Sequence, residues 1–215
     1  MFSRRNLSLA AGMAAAVALT AGALIASTAY ASPLVAPGEP APDFTGLDSN
    51  GEYVSLADFA GKTVVLEWTN DGCPFVQKHY ATPPANMQTL QAEAAADDVV
   101  WLSVISSGPG KQGHVSGNEA NALTTSRNAA PAHVILDPSG DIGRLYGAKT
   151  TPHMYVIRPD GRLAYEGAID SKPSARVPDI DTATNYVRAA LTSVAANEPV
   201  AVESSKPYGC SVKYE

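Results

Sequence analysis

Cysteine is scarce in this chain: of its 215 residues, only Cys73 and Cys210 are cysteine. Cys73 lies in the stretch W-T-N-D-G-C-P-F-V-Q-K-H-Y, which has the look of a redox-active cysteine motif. The position three residues later, where a C-x-x-C pair would have its second thiol, is Val76. The sequence therefore excludes a local dithiol. It leaves three interpretations of Cys73: a catalytic thiol, half of a structural disulfide, or a buried bystander.

Positive charge is also scarce, with 15 Lys and Arg against 21 Asp and Glu and a net charge of −6. An acidic chain is a poor partner for nucleic acid or for anionic lipid. We therefore expect no nucleic-acid binding and no association with a membrane once any leader has been removed.

The N-terminus predicts a secretory signal peptide over residues 1–31. Arg4 and Arg5 precede an alanine-rich apolar run, and Ala29-Tyr30-Ala31 has the small-x-small form of a cleavage site. A transmembrane anchor is the competing interpretation, but the cleavage site follows the run at the right distance. The arginine pair leaves Sec and twin-arginine export open. We expect a periplasmic or secreted protein, whose two cysteines are permitted to pair in an oxidising compartment.

The rest of the chain divides into an extended proline-rich lead-in over residues 32–42, a domain over residues 43–196 and a tail over residues 197–215 that carries Cys210. Apolar runs predict a hairpin at 43–56 and strands at 62–68, 99–105, 133–137, 154–157 and 163–167. Helices are predicted after Pro74, around 87–94, over 119–127 and 141–146, and from a cap at Asp181. This order implies an α/β fold, a central mixed sheet covered by helices on both faces.

These motifs resemble those of the redoxins, the thioredoxin-like and peroxiredoxin-like proteins of the alkyl hydroperoxide reductase/thiol-specific antioxidant type. In particular, E-W-T-N-x-x-C-P-F-V and the terminal G-C-S-V-K-Y resemble an exported subgroup. The resemblance covers about residues 42–191 and implies a thioredoxin-like fold. It places Cys73 between the first core strand and the next helix, and a cis-proline, Pro152 after Thr151, across the site.

Two departures from the family pattern limit this resemblance. A thioredoxin would have its second cysteine near Phe75 or Val76. A peroxiredoxin would have Thr or Ser three residues before its cysteine, where Asn70 stands, and an Arg where Pro152 stands. The sequence therefore combines a peroxiredoxin-like cysteine with a thioredoxin-like proline, and it does not separate peroxide reduction from thiol–disulfide exchange.

The chemistry of Cys73 depends on its thiolate, because only that form attacks disulfides or peroxides efficiently. A position at a helix N-terminus, with Pro74 in the first turn, favours the anion. Lys78 and His79 follow within two turns and add little at that distance. The resemblance to redoxins implies a substrate groove at Pro152, in which the Thr151 backbone can pair with an extended peptide. The residues expected to line this groove around Cys73 are Trp68, Asn70, Pro74, Thr151 and Pro152.

Glu67 interrupts an apolar strand six residues before Cys73. The resemblance implies a buried acid near this place that serves in proton transfer, and a buried carboxyl suits that role because desolvation keeps it partly protonated. A solvent-facing Glu on an edge strand is the alternative.

Cys210 is the predicted partner of Cys73, as a resolving thiol that converts a sulfenic acid or mixed disulfide into an internal disulfide. A permanent bridge is the alternative, and on the loop-entropy estimate it stabilises the fold by about 5 kcal/mol. A soft copper or zinc site at Cys73, His79, His153 and Cys210 is a further alternative, although their spacing matches no recognised ligand pattern.

The sequence therefore predicts an exported thiol-dependent oxidoreductase with Cys73 as nucleophile, Cys210 as resolving partner and Glu67 as acid or base. The expected partners are protein or small-molecule thiols, disulfides or peroxides, together with an external thiol reductant. No cofactor is expected.

Overall fold

The computed structural model describes residues 35–215, so the predicted signal peptide lies outside the described residues. Seven strands form the central sheet, and two short strands pair separately. In chain order the strands are β1 (Thr45–Asp48), β2 (Tyr53–Ser55), β3 (Val64–Trp68), β4 (Val100–Ile105), β5 (His133–Leu136), β6 (Thr150–Thr151), β7 (His153–Ile157), β8 (Leu163–Gly167) and β9 (Cys210–Ser211).

The seven strands of the main sheet lie in the order β2-β1-β5-β4-β3-β7-β8. The centre is parallel, because β4 runs alongside both β3 and β5 in the same direction. Antiparallel strands complete both sides, β1 with β2 next to β5, and β7 with β8 next to β3. Every residue of β3 and β4 is buried, as expected for central strands with an element on each face.

Within residues 35–215, five α-helices connect and cover the strands: α1 (Pro74–Tyr80), α2 (Asn86–Ala96), α3 (Gly117–Ser126), α4 (Asp141–Tyr146) and α5 (Tyr186–Ala195). Helices α1, α2 and α5 cover one face of the sheet, where their side chains pack with Val65, Trp101 and Met154. On the other face, α4 and a 3₁₀ helix at Leu56–Phe59 pack with Leu66 and Trp68. The predicted α/β fold with a mixed sheet covered on both faces is confirmed.

The predicted cap of the last helix is wrong. Asp181 lies in a 3₁₀ helix at Val177–Thr182, and α5 begins at Tyr186 with Asn185 as its N-cap. The Asn185 side chain accepts a hydrogen bond from the backbone N–H of Arg188, which satisfies one of the unpaired donors of the first turn. Both residues are good capping types, so their chemistry alone does not distinguish them. Among residues 35–215, no helix is long and apolar enough to cross a bilayer.

Candidate active site

Cys73 lies at the turn between β3 and α1, where the sequence predicted it. The turn is held by Asn70, whose carbonyl oxygen accepts from the Cys73 backbone N–H at 3.0 Å, and whose side-chain oxygen accepts from the Gly72 N–H at 3.0 Å. Cys73 is the N-cap of α1, and Pro74 occupies the first turn, where its missing N–H costs no hydrogen bond. The side chain of Cys73 is fully buried.

Thr151, the last residue of β6, and Pro152, which precedes β7, lie across from Cys73, and the peptide bond between them is cis, as the sequence predicted. The carbonyl oxygen of Thr151 lies 3.1 Å from the Sγ atom of Cys73. Thr151 also pairs antiparallel with Cys210, in the small sheet of β6 and β9. The C-terminal tail therefore occupies the edge on which the sequence predicted that an extended peptide would bind.

This pairing brings the two cysteines together. Their Sγ atoms are 2.7 Å apart, although 137 residues separate them in the chain, and both are free thiols. Cys73 is buried, and it contacts the one other cysteine of the chain. The contact itself is compatible with both a redox pair and a structural bridge.

The environment makes the two thiols unequal. Burial raises the pKa of Cys73, but hydrogen bonds from the Cys210 thiol and from the backbone of Val76 outweigh it, so the pKa lies below its ordinary value. Burial and the hydrogen bond with Cys73 raise the pKa of Cys210 to about 11. Cys73 is therefore the thiol that ionises first, and a thiolate is the attacking form.

Lys78 and His79 do not supply charge to this thiolate. Lys78 is buried and donates to Asp170 at 3.1 Å, with which it forms an ion pair. Burial lowers the pKa of His79 to about 4, so its ring is neutral at neutral pH. The hydrogen bonds around Cys73, rather than these neighbouring bases, favour its anion.

Glu67 is fully buried on β3, so the alternative of a solvent-facing Glu is wrong. Its hydrogen bonds come from four donors around it, and none of these is Cys73: Tyr80 Oη at 2.9 Å, Trp101 Nε1 at 2.9 Å, Ser103 Oγ at 3.2 Å and Gln91 Nε2 at 3.4 Å. Burial nevertheless raises the pKa of Glu67. Loss of solvation disfavours the charged carboxylate more than these donors and the positive charge of Arg127 favour it.

This raised pKa predicts a dependence of stability on pH. A carboxyl with a higher pKa in the folded state binds more protons when folded, so its contribution to stability is present at low pH and is lost as the pH rises through the folded pKa. We expect the free energy of unfolding of the wild type to fall relative to that of Glu67→Gln as the pH rises above the ordinary value of 4.5. Urea denaturation at several pH values measures this difference.

Glu119→Gln is the control for this experiment. A backbone hydrogen bond from Ser116 lowers the pKa of Glu119, so its contribution is instead lost as the pH falls. At low pH, Glu67→Gln should cost about 1–3 kcal/mol, because its amide places N–H donors against the donors that surround Glu67, and this cost should shrink as the pH rises. A difference between the wild type and Glu67→Gln that is constant with pH would contradict the prediction.

The structure does not bring Trp68 to the cysteines. Its side chain is fully buried on the opposite face of the sheet and donates from Nε1 to Ser106 Oγ at 3.0 Å. Neighbouring side chains of a strand point to opposite faces of the sheet, so the side chain of Trp68 lies on the face opposite to that of Glu67. Asn70, Pro74, Thr151 and Pro152 remain next to the cysteine pair.

The four residues of the metal alternative do not converge. His79 Nε2 lies 3.2 Å from the hydroxyl of Tyr208, and His153 Nε2 lies 3.3 Å from Glu166. Within residues 35–215 there is no group of three or more His, Cys, Asp or Glu side chains that could hold a metal ion.

Cys73 thus lies in a turn between a strand and a helix and faces a cis-proline. The sequence that forms this arrangement also matches a model of a known protein family. Residues 37–166 match the model of the AhpC/TSA family. The chain belongs to the AhpC/TSA family. No curated protein matches the chain. This membership confirms the predicted resemblance to the redoxins, while the resemblance to an exported subgroup stays a prediction.

Solved structures similar to this AhpC/TSA chain agree on the fold. An uncharacterized conserved protein from Geobacillus kaustophilus has a TM-score of 0.72 at 23% identity, over 85% of this chain and 94% of its own. The hypothetical protein SMc02350 from Sinorhizobium meliloti 1021 has a TM-score of 0.66 at 20% identity, over 83% and 94% of the two chains. At these identities the similarity shows the fold alone, and the fold is thioredoxin-like.

Proposed function

We propose that this AhpC/TSA protein is a thiol-dependent oxidoreductase in which Cys73 is the nucleophile and Cys210 is the resolving thiol. The observation that carries the proposal is the contact of the two Sγ atoms at 2.7 Å, with Cys210 presented by a strand paired to Thr151. The lower pKa of Cys73 supports this division of roles, because the thiol that ionises first is the one that attacks first.

With a disulfide substrate, the Cys73 thiolate attacks one substrate sulfur, forms a mixed disulfide and releases the other sulfur as a thiolate. Cys210, after losing its proton, attacks Cys73 Sγ and releases the second substrate thiol. The substrate gains two electrons and the protein retains a Cys73–Cys210 disulfide. An external thiol reductant returns both cysteines to thiols.

With a peroxide, the Cys73 thiolate attacks one oxygen, which yields a sulfenic acid and releases water or an alcohol. Cys210 then attacks Cys73 Sγ, and the disulfide forms with loss of water. Asn70 and Pro152 stand where a peroxiredoxin has the groups that polarise the peroxide bond. We therefore propose disulfide exchange as the faster of the two reactions.

A redox titration of the purified mature protein tests the proposal. We expect oxidised glutathione to convert both thiols into one internal disulfide, with a potential above about −300 mV. Hydrogen peroxide in a parallel reaction compares the two oxidants, with Cys73→Ser as the inactive control. A potential well below that value, with no sulfenic acid after reduction and exposure to peroxide, would show a permanent structural bridge instead.

We also propose that the protein acts outside the cytosol. The support is the sequence of residues 1–31, with its arginine pair, alanine-rich run and A-x-A site. Expression of the full chain in a bacterial host, followed by fractionation and N-terminal sequencing, tests this proposal. We expect the mature form to begin at Ser32, and an uncleaved chain in the cytosolic fraction would contradict it.

A further inference from the structure

The last thirteen residues, 203–215, cross the site, and we call this segment the strap. Before Cys210, the strap pairs with β8, where the backbone N–H of Glu166 donates to the carbonyl oxygen of Glu203 at 3.1 Å. After Cys210, the N–H of Val212 donates to the carbonyl oxygen of Lys149 at 3.0 Å. The carbonyl of Lys213 accepts from the N–H of Gly108 at 2.9 Å. The segment with Cys210 is therefore anchored on both sides.

The strap also covers the nucleophile. Cys73 has no exposed surface, and two strap residues, Tyr208 and Cys210, pack against the cluster that contains it. The ring of Tyr208 meets the ring of Phe75, in the first turn of α1, edge-on with 5.9 Å between the ring centroids. A substrate therefore reaches Cys73 Sγ only after the strap has moved, whereas resolution requires the strap to return.

Tyr208 connects the strap to a buried charge pair that the chemistry of Cys73 does not use. Its hydroxyl donates to Oδ1 of Asp170, whose Oδ2 accepts from Lys78 Nζ at 3.1 Å. The same hydroxyl lies 3.2 Å from Nε2 of His79. Burial, followed by the bond to Asp170, raises the pKa of Tyr208, so the hydroxyl remains a donor at neutral pH.

This cluster links three parts of the chain. Lys78 and His79 lie on α1, the helix that begins after Cys73, while Asp170 follows β8. Oδ1 of Asp170 accepts two hydrogen bonds, one from the Tyr208 hydroxyl and one from the backbone N–H of Lys172, in the loop of Asp170 itself, at 2.9 Å. Hydrogen bonds to charged groups are among the stronger ones in proteins, and the bond from the Tyr208 hydroxyl to Asp170 holds a residue two positions before Cys210.

We propose that Tyr208 is a positioning residue that holds the strap closed over Cys73, so that it restricts access of the oxidant and at the same time delivers Cys210. The inference rests on the proposed function, since it assigns opposite effects to the two steps of that reaction. Loss of the hydroxyl should raise the rate of the first step and lower the rate of the second.

Tyr208→Phe tests the proposal, because it removes the hydroxyl and keeps the ring against Phe75. The first step is measured in the reduced protein as alkylation of Cys73 by iodoacetamide, mapped by mass spectrometry and compared at the high-pH plateau. The second is the rate at which sulfenic acid, formed with hydrogen peroxide, closes to the disulfide. We expect alkylation to be about tenfold faster and closure about tenfold slower, the shift that 1.36 kcal/mol in strap opening produces.

Tyr146→Phe is the matched control, because it also loses a tyrosine hydroxyl bond, to the carbonyl of Pro42 at 2.6 Å, on the other face of the sheet. It should change neither rate. Ser205→Ala loosens the strap at a separate anchor, the bond from the Ala168 N–H at 3.0 Å, and should shift both rates in the directions expected for Tyr208→Phe.

The outcomes separate this inference from the proposed function. If the wild type closes its disulfide and Tyr208→Phe has unchanged rates, or is slower in both steps, then Tyr208 does not hold the strap and the proposed function stands. If the wild type itself forms no disulfide with either oxidant, the proposed function fails.

Discussion

Cys73→Ser is expected to abolish turnover, by about three orders of magnitude or more, while the domain remains folded. The hydroxyl of serine stays protonated under conditions where the Cys73 thiol, with its lowered pKa, supplies a thiolate. The substitution is close in size, so the turn held by Asn70 should persist. Reduction of oxidised glutathione by the variant, with circular dichroism to confirm folding, measures the effect.

Cys210→Ser is the matched variant, because it removes the partner thiol and keeps the nucleophile. It should react with one equivalent of oxidant and stop, with a mixed disulfide or a sulfenic acid retained on Cys73. The increase in mass identifies which species has formed. Full turnover by Cys210→Ser would show that an external thiol resolves Cys73 directly, and would contradict the role proposed for Cys210.

The main sheet could be predicted from the sequence because its signals are local. The apolar runs that form β3 and β4 are continuous and fully buried, and the turn into α1 carries the cysteine and a proline suited to the first turn. The edge position of the β1–β2 hairpin, next to β5, was not predicted. Such a pairing depends on contacts between residues far apart in the chain, which no local pattern reports.

For Glu67, the sequence indicated part of the environment of the side chain but not its hydrogen-bond partners. A charged residue within an apolar run left both burial and a solvent-facing edge position open, and the structure shows burial because β3 lies between β4 and β7 with both faces covered. The sequence did not predict which donors surround the Glu67 carboxyl, because they come from three separate elements: Tyr80 from α1, Gln91 from α2 and Trp101 from β4. The positions of α1, α2 and β4 relative to β3 must be known before hydrogen bonds from their side chains to the Glu67 carboxyl can be identified.

The tail was the least predictable part of the site. It has no periodicity, and its place follows from backbone pairing at Thr151 and from the hydroxyl of Tyr208. A lysine on a short helix is normally exposed to solvent. Lys78 is buried because its ammonium group forms an ion pair with Asp170, which is distant in the chain. Cys210 was predicted as the partner because it is the one other cysteine of the chain, but the sequence did not predict the strap that carries it.

Gly209→Ala is expected to slow closure of the Cys73–Cys210 disulfide by about ten- to hundredfold, the effect of 1–3 kcal/mol of local strain. A Cβ at this position would lie 2.1 Å from the carbonyl oxygen of Thr151, and the backbone φ of +136° is one that side-chain-bearing residues rarely adopt. The obstructing atoms belong to the backbone, so the strap has to shift and Cys210 leaves its place next to Cys73. Stopped-flow measurement of disulfide formation after a pulse of oxidant gives the rate.

Gly161→Ala separates the two causes, because Gly161 also has a positive φ, +80°, but no heavy atom within 4 Å of a Cβ. It carries backbone strain without the collision and lies in the turn between β7 and β8, so closure should proceed at the wild-type rate. Oxidation of Cys73 should persist in Gly209→Ala, since only the delivery of Cys210 is disturbed. If Gly209→Ala closes the disulfide as fast as the wild type, pairing of the tail with Thr151 does not position Cys210, and the resolving thiol reaches Cys73 by another path.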